Sequence, residues 1–140
     1  MSPTEIQTRI DKQGGHKVLW ALWENRSEWN QLLAGIETGE TNWLKIARRL
    51  HPFSDAGASE ELHSAVARAL PRAPERVLSM IGPGFEIEFI CTSPFNEPEP
   101  GVAEAYEREA SAALASMHNS KLQALALQCA KLVKLPPPGA

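Results

Sequence analysis

Apolar residues recur at helical spacing along most of this chain. Ile6, Ile10, Val18 and Leu22 fall on four-residue steps, with Gly14 in the missing place. Gly14-Gly15 either breaks that segment into two helices or lets another part of the chain approach closely, and the break is the favoured expectation. Trp29, Leu32, Leu33 and Ile36 form the next stripe, with Ser27 as the expected N-cap and Gly39 as the stop. Thr41 should cap a short helix carrying Leu44, Ile46, Ala47 and Leu50, which must end before Pro52. Ser54 or Asp55 then opens a helix with Ala58, Leu62, Ala65, Val66 and Ala69 inward, closed by Pro71. Pro74 suits the first turn of another, with Val77, Leu78 and Ile81 buried.

The period changes after Gly82-Pro83-Gly84. Phe85, Ile87 and Phe89 alternate with Glu86 and Glu88, which predicts an extended segment with one wet face. No second strand is in sight to pair with it, so it should lie over helices rather than join a sheet. Helical spacing then returns. Tyr106, Ala110, Ala113, Leu114 and Met117 mark one alanine-rich helix over about 102–118. Asn119 can cap the last, with Leu122, Leu125, Ala126, Cys129, Leu132 and Val133 on its core side. The expected fold is all-α: an irregular array of six to eight short helices in hairpins, with one extended proline-rich loop at about 82–101. Residues 1–135 should form one domain, and Pro136, Pro137 and Pro138 a stiff, flexibly attached tail at 136–140.

Charge narrows the partners. With 14 Lys and Arg against 17 Asp and Glu, the net charge of −3 disfavours a general grip on nucleic acid or an anionic bilayer. No apolar run nears the roughly 18 residues a membrane span needs. The opening MSPTEIQTRI lacks the basic-then-apolar pattern of a leader.

Chemistry is thinly signalled. His16, His51, His63 and His118 lie on separate segments, with no metal-ligand spacing, so no metal is expected. No glycine-rich phosphate loop or G-x-S-x-G elbow occurs, and no cofactor is expected. Glu24, Glu28, Glu37 and Glu40 could supply paired carboxylates to a glycoside hydrolase, although acids near helix ends are ordinarily solvated or capping. Trp20, Trp23, Trp29 and Trp43 crowd into 24 residues; core packing accounts for Trp29 and Trp43, which leaves Trp23 or Trp20 as a surface anchor for a partner or a second copy. The stretch SPFNEPEPG places Phe95, Asn96, Glu97 and Glu99 between Pro94, Pro98 and Pro100. A rigid acidic arm of this kind loses little entropy on docking into a basic cleft, and it would equally serve as a solvated linker. Glu86 and Glu88 extend the same acidic surface. Cys91 and Cys129 permit a disulfide and equally permit two buried thiols; neither is flanked by a histidine that would make it a nucleophile.

Around IETGETNWLKIARRLHPFSDAGASEELHSAVARALPRAPERVLSM and FICTSPF, the chain resembles a group of small helical proteins of Gram-negative bacteria. The shared features are the Gly39 to Leu44 stretch, the Ser54-Asp55-Ala56-Gly57 helix start, the Ala69-Leu70-Pro71 end and Ile90-Cys91, together covering about half the chain. The resemblance implies a periplasmic location, against a cytoplasmic one, and so favours the Cys91–Cys129 bond. Some such proteins are immunity partners of antibacterial toxins. The functional expectation is therefore a non-enzymatic protein-binding module, an inhibitor of a periplasmic toxin or cell-wall enzyme. The alternatives are a cell-envelope hydrolase using paired glutamates and a structural subunit that dimerises.

Overall fold

Ser2 starts the first helix by accepting the Glu5 N–H at 3.2 Å, and Pro3 sits in the first turn, where no donor is needed. The computed structural model describes residues 1–134, and in it α1 (Pro3–Gln13) buries Ile6 and Ile10. Gly14 then adopts φ +86° and ψ 154°, a conformation nearly closed to residues with side chains, and the helix ends. α2 (Gly15–Glu24) begins at once. At Gly15 the Phe53 ring occupies the space a Cβ would need, so the glycine pair provides both a break and a close approach.

Asn25, not Ser27, caps α3 (Arg26–Glu37), accepting the Glu28 N–H at 3.2 Å. α4 (Thr41–Leu50) starts one residue earlier than a Thr41 cap would allow, with Glu40 in the cap position and making no side-chain bond there. A 3-10 turn at His51–Phe53 follows, then α5 (Ala56–Ala69), capped by Asp55 on Ala58 N–H at 2.9 Å. α6 (Pro74–Leu78) is a short helix with Pro74 in its first turn. α5 is the hub: it packs against α3, α4, α6 and α7 (Ile87–Ile90). The core it organises contains Leu19, Leu22, Trp29, Leu32, Ile36, Leu50 and Leu62, all fully buried, and among the described residues no polar or charged residue is buried with them.

The extended reading of residues 85–90 is corrected by α7. Gly82 and Phe85 exchange backbone hydrogen bonds of 3.1 and 3.0 Å, which closes a tight turn over Pro83-Gly84. The chain then makes one helical turn, with Phe89 and Ile90 N–H on the Glu86 carbonyl and Cys91 N–H on that of Ile87. The reason is backbone satisfaction: a lone extended segment has no ladder to use its N–H groups, whereas a helical turn supplies partners from within. The turn also exchanges the faces. Ile90 and Cys91 go inside, and Phe89 comes out, 51% exposed.

With this turn included, the described residues hold nine α-helices and no strand, an all-α array. α8 (Val102–Ala115) and α9 (Gln123–Leu132), linked through a 3-10 turn at Ser120–Leu122, pack on each other and form a hairpin beside α6. Asn119 caps that 3-10 turn through Lys121 N–H at 3.0 Å. Leu132, expected inside, is 44% exposed, because α9 buries only Ala126 and Cys129. The tail at 136–140 lies outside the described residues. No described helix is long and apolar enough to cross a membrane.

Candidate protein-binding surface

The residues from Glu86 onward are fixed at several points, each made by side chains distant in sequence. The first is an imidazole–phenyl cluster under α7. His63 Nε2–H donates to the Gly84 carbonyl at 2.7 Å, which requires the proton on that nitrogen in the neutral ring. The His63 ring stacks flat on Phe89 (centroids 4.8 Å, 4° between planes) and lies 5.0 Å from His51, which in turn packs on Phe85 at 4.8 Å. Partial burial, and secondarily the neighbouring His63, lower the His51 pKa below its ordinary 6.5, against the pull of Glu86. Gly84 is required here on two counts: its φ is +87°, and an added Cβ would stand 2.9 Å from His51 Nδ1.

The second point is Cys91, whose sulfur lies at disulfide bonding distance, 2.03 Å, from that of Cys129 on α9. The third is Phe95. The bare sequence presents it as exposed, yet it is half-buried and meets Tyr106 edge-on at 5.7 Å. The Arg68 guanidinium lies 5.1 Å above its ring and donates to the Pro94 carbonyl (3.3 Å) and to Glu37 (3.1 Å). Tyr106 donates to the Ala67 carbonyl at 2.6 Å, and burial pushes its phenol well above the usual range. These groups border an open cavity of about 370 Å³ floored by Arg68, Phe95 and Tyr106.

Between the Phe95 anchor and the start of α8, Asn96, Glu97, Pro98, Glu99 and Pro100 are exposed. Glu97 has φ +52°, uncommon for a residue with a side chain, and Gly101 turns the chain into α8 at φ +87°. Glu86 and Glu88 are also exposed; Glu86 accepts the Gly84 N–H at 3.2 Å. Thus Asn96, Glu97, Glu99, Glu86 and Glu88 face solvent as expected, whereas Phe95 is the anchor and Phe89 the exposed aromatic. Trp23 belongs elsewhere. It is half-buried on α2, edge-on to Trp29 at 5.0 Å and covered by Arg26 at 5.1 Å, while the Trp29 indole and Arg26 both donate to Glu61 at 3.3 Å.

The glutamates considered for hydrolysis are spread out: Glu28 pairs with Arg9 at 3.9 Å, Glu37 with Arg68 at 3.1 Å, and Glu24 and Glu40 are exposed. The His51–His63 pair is what sequence reasoning missed. The two residues sit 12 positions apart on different elements, and no local pattern announces them.

Charge sorts the surface sharply. From residue 86 to 107 there are six glutamates and no lysine or arginine, so the rest of this weakly acidic chain is net positive. Comparison with known proteins returns no match from protein-family models, from curated proteins or from solved structures. None of the three bears on the resemblance noted for the stretch around Gly39 to Cys91.

Proposed function

We propose that this chain is a protein-binding module that offers residues 86–99 to a partner with a cationic surface. The observation that carries the reading is the fixed acidic segment: four glutamates and no lysine or arginine between residues 86 and 99, pinned at Cys91 and at Phe95, with Phe89 half-exposed directly after Glu88. Pinning lowers the entropy lost on docking, the acids steer encounter, and an exposed phenylalanine ringed by polar groups supplies the apolar contact. Enzymes acting on acidic polymers carry cationic clefts, which makes a toxin or cell-wall enzyme a fitting target for an inhibitor of this shape. The paired cysteines favour an oxidising compartment, in keeping with a periplasmic site of action.

Site-specific photo-crosslinkers at positions 89 and 97, expressed in the host cell, test this directly. The expected result is one discrete adduct with a basic protein from both positions and none from position 17 on α2. Equal adducts from all three positions, or none from 89 and 97, would refute the reading. With the partner in hand, Glu97→Lys combined with Glu99→Lys should slow association by about tenfold at low salt.

A further inference from the structure

A second site lies between α4 and α6, away from the acidic segment. Its floor is apolar: Leu44 and Met80, 3% and 5% exposed. Its rim is cationic: Lys45, Arg48 and Arg76, with the hydroxyls of Thr41 and Ser79. No carboxylate lines this cavity of about 190 Å³, and none of the three cations takes part in an ion pair among the described residues. Glu40 and Glu75 adjoin Thr41 and Arg76 in the chain but do not line the cavity.

The two arginines are held in place. Arg48 Nη2 donates to the Met80 carbonyl at 3.1 Å, and its guanidinium rests 5.8 Å from the Phe85 ring. Arg76 Nε donates to the Gly39 carbonyl at 2.7 Å. Each bond uses one edge of the guanidinium and leaves further N–H groups without a partner. Fixed, uncompensated donors of this kind match an anionic oxygen cluster, which arginine binds through parallel N–H groups.

We infer that this cavity is a binding site for a small amphiphilic anion, a carboxylate or phosphate carried on a short apolar chain. The head group meets Arg48, Arg76 and Lys45, and the chain lies on Leu44 and Met80. The size decides against anything larger: the volume is below the roughly 300 Å³ at which sites for drug-sized ligands begin.

The chain carries three methionines, Met1, Met80 and Met117, so a methyl-labelled spectrum has few signals to resolve. Met80 floors the site; Met1, which does not line it, serves as the control, because Met117 borders a neighbouring cavity that Arg76 also lines. Titration with hexyl phosphate should shift the Met80 methyl saturably and leave Met1 in place. Inorganic phosphate, which lacks the chain, should bind about tenfold more weakly, as should hexanol, which lacks the head group. Arg48→Gln and Arg76→Gln should each weaken hexyl phosphate by about tenfold. Lys45→Gln, which disturbs no hydrogen bond of the fold, should weaken it by about threefold and keeps the test valid if an arginine variant misfolds. A Met80 signal that does not move, equal binding of hexanol, or affinity unchanged in Lys45→Gln and both arginine variants would overturn the assignment. So would arginine-dependent sedimentation with vesicles of dioleoyl phosphatidic acid in the absence of any response to hexyl phosphate, because the ligand would then be a lipid surface.

Discussion

The α1–α5 body and the α8–α9 hairpin are stabilised by different means. The body interlocks large side chains, with Leu19, Leu22, Trp29, Leu32, Ile36, Ile46, Leu50 and Leu62 fully buried, and burial of that much apolar surface holds it without a covalent tie. The hairpin buries Tyr106, Ala110 and Leu114 from α8 but only Ala126 and Cys129 from α9, and it leaves Leu127 65% exposed. Small buried groups gain little, so the hairpin depends on individual attachments: the Cys91–Cys129 pair, the Tyr106 hydroxyl and the Arg68–Phe95 contact. The acidic segment runs from the body to this hairpin. Its order is therefore set by attachments rather than by core volume.

The largest effects should come from the body. Trp29→Ala removes the bulkiest fully buried side chain and the indole that donates to Glu61, and should cost about 5 kcal/mol, the top of the range for such truncations. Urea unfolding should show the whole transition moving, followed by any probe. A hairpin that kept its amide protection while the body melted would break the comparison.

Removal of the cysteine bond should rank next. Replacing both Cys91 and Cys129 by serine opens a closure spanning 38 positions, worth about 4 kcal/mol in the chain-entropy model. Its signature is local. Amide exchange in α8, α9 and residues 92–101 should accelerate before that in α2 and α3. Uniform acceleration would mean that the hairpin is integral to the core.

His51 lies where the body meets the start of the acidic segment, between the end of α4 and Phe85, and faces His63 and Glu86. Its pKa is lowered on folding, chiefly by burial, so the unfolded chain takes up this proton at higher pH than the folded one. The contribution to stability is therefore intact well above pH 6.5. It declines as pH falls through the unfolded value and is fully lost below the folded one. Unfolding measured at pH 7.5 and 5.0 should show the wild type losing more stability on acidification than His51→Gln. Parallel losses would remove His51 as the sensor.

The body was largely legible because each of its helices carries a full apolar stripe bounded by its own punctuation, as at Gly14, Gly39 and Pro71. Errors there were of one or two residues: Asn25 and Ser27 are both good caps, and only the geometry of Glu28 N–H selects Asn25. The acidic segment and the hairpin were harder. Phe85, Ile87 and Phe89 alternate like a strand, while Ile87, Ile90 and Cys91 fit a helical turn equally well, and six residues are too few for periodicity to decide between them. The absence of a partner strand decides it. Phe95 read as exposed because what covers it, Arg68 and Tyr106, comes from two other helices. The His51–His63 pair was hidden for the same reason, and Leu132 was misplaced because α9 has a narrower buried stripe than its composition suggests.

The smallest effect is the most discriminating. Tyr106→Phe keeps the ring that meets Phe95 and deletes only the hydroxyl that donates to the Ala67 carbonyl. Net loss of one such bond is about 1 kcal/mol, part of it the cost of leaving that carbonyl buried without this donor. If the hairpin were held by general packing, so small a change would spread over the molecule and leave residues 96–100 as ordered as before. If it is held by attachments, the loss falls on the α5–α8 contact and from there on the Phe95 anchor. Amide exchange of residues 95–101 and α8 should then rise by about fivefold while α1–α3 stay unchanged. Equal exchange in both regions would show that the acidic segment is supported by the core after all.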